Sequence, residues 1–314
     1  MNPPIASILL LTFNQEAYIE DALISLLDQD VDDIEVVISD DDSTDRTWEI
    51  IDKLCTRYSG RKSVIKSKNY QNMGVVANYY QAFSLSSGSL IFTAAGDDIS
   101  LPSRCSKTIS YWMSCEVRPD LIAADGYDMA EDGRILGVKR TAPLNTWDLK
   151  RWIEQRPYVF GASHMMTRRL VGLRPLHPNL HYEDQNFVAR ALMMNGASTI
   201  SMPLVKHRRG GISQRRESQT TLQRTTRLIK SAEASILQTN EIIEDAALLD
   251  RPEVNSLLKE TIDINNYAIE LLTNCRKIDL LQIIHKYKHL PLRTHFKYIG
   301  HRLKMYAADY NFQK

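Results

Sequence analysis

The sequence predicts an α/β fold: a mostly parallel, twisted sheet flanked by helices, followed by an all-helical C-terminal region. Three observations carry this. Short apolar runs alternate with helix-period segments through the first third of the chain. Two of those runs end in acidic clusters, Asp40-Asp41-Asp42 and Asp97-Asp98. From about residue 219 onward only the helical period remains.

The elements follow in order. Ile5 to Leu11 is an unbroken apolar run, as expected of a strand covered on both faces. Glu16 to Gln29 has helical spacing, with Ile19, Leu23, Leu26 and Leu27 on one face. Ile34 to Ser39 is the next strand. Ser43-Thr44-Asp45 offers N-cap side chains to a helix carrying Trp48, Ile51, Leu54, Cys55 and Tyr58. Ser63 to Ser67 reads as a short strand, Val75 to Leu85 as a helix halted by Ser87-Gly88, and Leu90 to Ala95 as the fourth strand. Further on, Leu121 to Ala124 reads as a strand and Asp132-Gly133 as a hairpin turn. Glu183 to Asn195 is a helix stopped by Gly196, and Ala197 to Leu204 is a strand. Lys206-His207-Arg208-Arg209-Gly210-Gly211-Ile212-Ser213 then reads as a basic, glycine-containing loop. Helices are expected over 219–247, 252–273, 277–288 and 291–308. The expected division is a domain over 1–217 and a helical region over 218–314.

Composition narrows the function. Of 314 residues, 43% are hydrophobic and 25% charged, ordinary for a soluble globular protein. A net charge of +1 gives no general pull toward nucleic acid, and none is expected as a partner. Cys55, Cys105, Cys115 and Cys275 form no C-x-x-C pair and match no zinc spacing, so reduced thiols are expected. No apolar run approaches the roughly 20 residues of a membrane span. With the first strand starting at once, a cytoplasmic protein is expected. The last 44 residues hold nine Lys or Arg against two Asp, with His285, His289, His295 and His301 among apolar residues. Such a segment can dock on anionic lipid headgroups as a peripheral contact. It can equally be a solvated helical subdomain or an oligomer contact.

Carboxylates at the tips of buried strands are costly unless a cation or hydrogen-bond donors meet them. In a parallel sheet the carboxyl ends of strands share the edge where open α/β folds bind ligands. Two acidic strand ends on that edge point to a hard divalent cation and a phosphate-bearing ligand. No G-x-G-x-x-G is present, which argues against a dinucleotide dehydrogenase. Thr12-Phe13-Asn14-Gln15-Glu16, after the first strand, contains no glycine, which argues against a nucleotidyltransferase phosphate loop.

Four segments taken together are more specific: S-I-L-L-L-T-F-N-Q-E, E-V-V-I-S-D-D-D-S-T-D-R-T, N-M-G-V-V-A-N and S-G-S-L-I-F-T-A-A-G-D-D-I-S-L-P-S-R. In order and spacing they closely resemble the nucleotide-binding half of family 2 glycosyltransferases with the GT-A fold. The resemblance covers roughly residues 4–215 and is strongest over 5–105. It implies that Thr12, Phe13, Asn14 and Glu16 surround the base and ribose of a nucleotide sugar. Asp40 and Asp41 match the pair of which one binds the base; an acceptor-only carboxylate suits the N3–H of uracil or thymine, hence a UDP- or dTDP-sugar. Asn72 and Gly74 match the N-x-G element near the nucleotide. Asp97 matches the last aspartate of D-x-D, the ligand of Mn2+ or Mg2+ on the diphosphate, with Asp98 assisting. The chain departs from the motif at Ala95, where D-x-D has its first aspartate.

The resemblance also makes Glu183-Asp184 the E-D motif, with Asp184 as catalytic base and Glu183 orienting the acceptor. Arg208 and Arg209 are candidates for the diphosphate, and His207 and His164 are further candidates. At Gly210 the usual histidine is missing. The implied activity is inverting transfer of a sugar to a glycan or lipid-linked glycan, in surface polysaccharide such as O-antigen or capsule. Ala95 and Gly210 leave open a non-catalytic relative that holds a nucleotide sugar or scaffolds an assembly.

Overall fold

The computed structural model describes residues 3–209, 220–273 and 280–312. The chain divides into two compact units, Met1–Ser213 and Gln214–Lys314.

The first unit starts β1 (Ala6–Thr12), α1 (Ile19–Leu27), β2 (Ile34–Asp40), α2 (Thr47–Arg57), β3 (Ser63–Lys68), α3 (Val75–Leu85) and β4 (Leu90–Ala95). It continues with β5 (Ile99–Ser100), α4 (Arg104–Ser114), β6 (Leu121–Met129), β7 (Ile135–Lys139) and α5 (Leu149–Glu154). It closes with β8 (Met165–Thr167), α6 (Arg168–Val171), α7 (Asp184–Met193) and β9 (Ala197–Arg208). The strand order is β3-β2-β1-β4-β8-β6-β9-β5, with β7 paired to the later residues of β6, Gly126 to Met129. The sheet is parallel over its first four strands and mixed beyond: β8 runs antiparallel to β4 and β6, and β6 runs parallel to β9.

β1, β2 and β4 are buried along nearly their whole length, which is why they read as apolar runs without alternation. Ile8, Leu10, Val36, Ile38 and Phe92 share one core with Ile19, Leu23, Ile51 and Ile109 from α1, α2 and α4. α3 covers β1 and β2 with Val76 and Tyr79 buried. At the amino ends of the strands, buried Glu35 accepts from Ser7 Oγ (2.6 Å), Ser87 N–H (2.5 Å) and Gly88 N–H (3.2 Å). That carboxylate ties β1, β2 and the approach to β4 together.

The carboxyl edge is set by register. Thr12 pairs with Asp40, Asp40 with Lys68, and Leu11 with Ala95. The chain steps from β1 outward to β2 and β3, then returns to β4 on the other side of β1. This reversal opens the crevice in which open α/β sheets hold ligands.

Three local expectations are corrected. The helix expected over Glu16 to Gln29 spans Ile19–Leu27, because residues 14–16 bond to a neighbouring loop. The N-cap residue of α2 is Arg46, whose own side chain makes no cap bond; of Ser43-Thr44-Asp45 only Asp45 serves the helix start, accepting from Thr47 N–H (2.9 Å), while Ser43 turns to Asp40 and to Asn14 N–H. The start of the expected basic loop is strand: β9 runs on through Lys206 and His207 to Arg208, paired with Tyr127, Asp128 and Met129. The Asp132-Gly133 turn does join β6 to β7, with Gly133 at φ 87°, a conformation that favours glycine.

The second unit is α8 (Thr221–Leu248), α9 (Glu253–Thr273), α10 (Leu280–Lys286) and α11 (Leu292–Phe312). Thr220 and Gln223 form a capping box that starts α8. Ala232, Tyr267, Leu271, Leu272, Ile283, Tyr287 and Tyr298 make its core. Among the described residues no helix is long and apolar enough to cross a membrane.

Candidate active site at the carboxyl edge of the sheet

Two loops meet at the ends of β1 and β2 and clasp each other. Asn14 N–H donates to Ser43 Oγ (2.9 Å), Gln15 N–H to Thr47 Oγ1 (2.8 Å) and Glu16 N–H to Asp45 Oδ2 (3.1 Å). In return Thr44 N–H donates to Asn14 Oδ1 (2.8 Å) and Arg46 N–H to Glu16 Oε2 (3.0 Å). Asn14 adopts φ 52°, which asparagine tolerates better than most residues. Phe13 is left 44% exposed at the tip, so its ring is free to meet a ligand.

Asp40 and Asp41 are both buried and both bonded. Asp40 accepts from Ser43 N–H (2.9 Å) and Ser43 Oγ (2.5 Å). Its pKa is raised by burial, with the Ser43 bonds pulling the other way. Asp41 reaches across to the loop before α3. It accepts from Asn69 Nδ2 (2.9 Å), Met73 N–H (2.8 Å) and Gly74 N–H (2.9 Å). Asn72 Nδ2 donates to the Asp41 carbonyl at 3.3 Å. Gly74 sits at φ 84°, where a Cβ would strain the chain. Asp40, Asp41, Asn72 and Gly74 are thus brought together beside Thr12.

Asp97 and Asp98 occupy the tight turn between β4 and β5, closed by Asp98 N–H to Ala95 O at 3.2 Å. Burial raises both carboxyls, and the negative Asp97 raises Asp98 further. Arg208 and the Gln15 side chain act against that rise at Asp97. Arg208 N–H donates to Asp98 Oδ1 at 2.9 Å. Below them lies Arg104, fully buried, donating to Ser100 Oγ (3.0 Å), Thr93 O (2.8 Å) and His164 O (3.3 Å). Its positive charge acts on Asp98, while burial lowers its own pKa to about 10.

Glu183 and Asp184 start α7. A Cβ at Gly161 would lie 3.4 Å from Glu183 Oε1 and 3.6 Å from Asp184 Cβ, so the pair sits directly against the Gly161–Ser163 turn. That turn is anchored on β4, four residues before Asp97, by Thr93 N–H to His164 O at 3.1 Å. Buried Trp152 supports the pair from below, donating to Gln185 Oε1 at 3.0 Å. Burial, then the neighbouring Asp184, pushes Glu183 up to about 7, and burial also raises Asp184. Glu183 is buried and Asp184 is the more accessible of the two.

The basic candidates are differently placed. Arg208 is 7% exposed; its guanidinium donates to Asp97 O (3.1 Å) and Glu131 O (2.6 Å) and stacks 4.4 Å over Tyr18. Arg209 is exposed and bonded to the Asp128 carboxylate. His207 Nδ1 lies 2.9 Å from Lys139 Nζ; burial, then Lys139, lowers its pKa to about 4. His164 is 1% exposed and held neutral by burial, with a pKa near 3, so its ring has no surface for an acceptor. Gly210, Gly211, Ile212 and Ser213 lie outside the described residues.

Sequence reasoning passed over Gln15, Gly96, Arg104 and Lys139. Only Gly96 had a local signal, immediately before Asp97: a Cβ there would meet Gln15 Oε1 at 2.3 Å and Thr12 Oγ1 at 2.8 Å. The other three gain their roles from partners distant in sequence.

Comparison with known proteins decides the family. Residues 7–160 match the model of glycosyl transferase family 2. The first unit of this chain belongs to that family. An uncharacterized glycosyltransferase of Methanocaldococcus jannaschii is 26% identical over 54% of this chain and 58% of its own length, so the match takes in little more than half of that relative. The putative glycosyltransferase EpsH of Bacillus subtilis is 26% identical over 78% of this chain and 72% of its own. Among solved structures, S. aureus TarS in complex with UDP-GlcNAc superposes with TM-score 0.58 at 21% identity, covering 92% of this chain and 82% of that one. Mannosyltransferase PcManGT from Pyrobaculum calidifontis, in complex with GDP-Man and Mn2+, gives 0.53 at 14% identity over 99% and 88%. At these identities the structures establish the GT-A fold.

A family 2 glycosyltransferase of GT-A fold implies a divalent ion, and the residues at the turn fit one. Among the described residues no three His, Cys, Asp or Glu side chains gather as a metal cage. Two adjacent carboxylates, both with pKa raised by burial, do gather at 97 and 98. Mg2+ characteristically takes one or two protein carboxylates and completes its shell with phosphate oxygens and water.

Proposed function

We propose that this protein transfers a sugar from a nucleoside-diphosphate donor, UDP- or dTDP-linked, to an acceptor hydroxyl with inversion. Residues 1–217 form the catalytic domain in this reading, and 218–314 a helical accessory region. One observation carries it: the Asp97-Asp98 pair and the Glu183-Asp184 pair are both tied to β4 near its carboxyl end. TarS with UDP-GlcNAc and PcManGT with GDP-Man support a nucleotide-sugar donor.

The residues take the following parts. Phe13, on the loop Thr12–Glu16, offers its exposed ring to the base. Asn14 and Glu16 hold that loop in place. Asp40 and Asp41 order the opposite wall; Asp41 Oδ1 already accepts twice, so the second lone pairs left for a base N3–H are those of the Asp40 oxygens and Asp41 Oδ2. Asn72 and Gly74 bring backbone close to the nucleotide. Asp97, assisted by Asp98, would hold Mn2+ or Mg2+, which neutralises charge on a leaving diphosphate when bound. Asp184 takes the proton of the acceptor hydroxyl, its raised pKa making it a better base than an exposed aspartate. Glu183 orients the acceptor beside it.

The accessory region extends the reading to the inner face of a membrane and to surface-polysaccharide assembly on a free or lipid-linked glycan. At about 100° per residue, the exposed Leu292, Leu303 and Phe296 of α11 fall within about 40° of one another. Arg293, Lys297 and Lys304, also exposed, lie on the adjoining strip of the same helix. Apolar and cationic strips side by side suit an interface with anionic lipid.

The test is nucleotide release from a panel of UDP-, dTDP- and GDP-sugars with Mn2+, comparing the wild type with Asp184→Asn. Removal of a general base should slow turnover about 10²–10⁴-fold while the donor still binds. Equal rates in the two proteins would sink the base assignment. Binding without turnover by the wild type would instead favour the non-catalytic reading, which Ala95 supports.

A further inference from the structure

Lys139 ends β7 half-buried. Its Nζ lies 2.9 Å from His207 Nδ1 and over the rings of Phe160 and Tyr158, at 5.5 and 5.9 Å from their centroids. Among the described residues no carboxylate makes an ion pair with it. His207 is neutral, so it accepts a hydrogen bond from the ammonium without cancelling its charge. Asp98 and Asp128 feel that charge only at longer range. A partly desolvated, uncompensated cation is costly to keep in a free protein, and an anionic ligand offsets that cost.

Its position names the ligand. His207 adjoins Arg208, whose N–H binds Asp98. Phe160 leads into Gly161, which lies against Glu183 and Asp184. The ammonium therefore sits among the residues that connect the two acidic pairs. The arginines expected on the diphosphate are engaged elsewhere. Arg208 is locked on two backbone carbonyls and Tyr18, and Arg209 on Asp128. Of the three N–H donors on Lys139, one goes to His207, which leaves two for phosphate oxygens.

We propose that Lys139 binds the diphosphate of the nucleotide-sugar donor, as a fixed cation held in place by His207, Phe160 and Tyr158. The inference rests on the nucleotide-sugar reading and deepens it by naming a second positive group for the leaving diphosphate. That group persists when divalent ions are removed. With Ala95 in place of a third carboxylate, less negative charge stands against the phosphates.

The test is calorimetric titration of the full chain with UDP, dTDP and GDP in EDTA, at low and moderate salt, with inorganic pyrophosphate as a second probe. For whichever nucleotide binds the wild type, Lys139→Met and Lys139→Gln should weaken affinity about tenfold, as expected for loss of one charged phosphate contact. The salt dependence should flatten in both variants. Lys139→Arg, which keeps the charge, should stay within about threefold of the wild type. Pyrophosphate should lose affinity in parallel. The thermal midpoint of each variant reports folding, and a loss shared by two differently shaped neutral side chains is not a folding artefact. Wild-type affinity in either neutral variant overturns the role of Lys139 and leaves the transferase reading standing. If no nucleoside diphosphate binds the wild type, with Mn2+ or without, the transferase reading fails and this inference falls with it.

Discussion

Glu183 is a carboxyl group packed against a glycine and beside a second carboxylate, and its protonation therefore reports on folding. Burial raises it from an ordinary 4.5 to about 7. Between those values the folded chain holds a proton that the unfolded chain has released, so stability falls as pH rises through the window. Above pH 7 the cost reaches on the order of 3 kcal/mol. Glu183→Gln should therefore be more stable than the wild type at pH 8, with a much smaller difference at pH 5, read from urea midpoints. An unchanging difference across that range would show that the side chain is not desolvated as described. Asp97, Asp98, Glu183 and Asp184 were legible in the sequence because carboxylates stand out at the ends of apolar runs or at the start of an apolar-faced helix. Lys139 and Arg104 were not: Lys139 meets His207 across 68 residues and Arg104 meets His164 across 60, and no local pattern encodes such pairings.

Among the elements, the clasp between the loops after β1 and β2 decides whether the wall proposed for the nucleotide is preformed. Asn14 serves it twice, through its left-handed backbone and through the bond its side chain accepts from Thr44 N–H. Asn14→Ala loses both and should cost about 2 kcal/mol. Asn14→Gly keeps the backbone geometry and should cost about half as much, while Asn14→Asp should be nearly neutral. Thermal or urea unfolding of the three variants gives their order, and an alanine variant as stable as the aspartate one would contradict the clasp. The same contacts explain where element boundaries were misread. Periodicity marked the apolar face of α1 correctly, but residues 14–16 had been spent on cross-loop bonds. β9 outran its apolar stretch because its last residues pair with β6, an edge invisible to hydropathy. β1, β2, α3 and β4, whose signals are purely local, fell within a residue of expectation.

For the whole molecule, the two-part organisation was legible in the change from mixed to purely helical patterning. The mixed second half of the sheet was not, because β8 and β5 are only three and two residues long. The helical unit carries the membrane prediction. Phosphatidylglycerol vesicles should co-sediment the full chain and neutral phosphatidylcholine vesicles should not, with binding lost as salt rises. The double substitution Phe296→Ser and Leu303→Ser should abolish the sedimentation and leave nucleotide binding intact. Equal recovery with both lipids, or no effect of the substitutions, would remove α11 as the contact. At the rim opposite the candidate site, the Glu35 carboxylate gathers two serines and a glycine amide. Such a knot braces the sheet at its amino rim, as the loop clasp braces the carboxyl rim. Amide exchange should then be slowest near Ser7 and Gly88 and quicken only at exposed loop tips such as Phe13, which would confine any adjustment to the proposed donor to those tips.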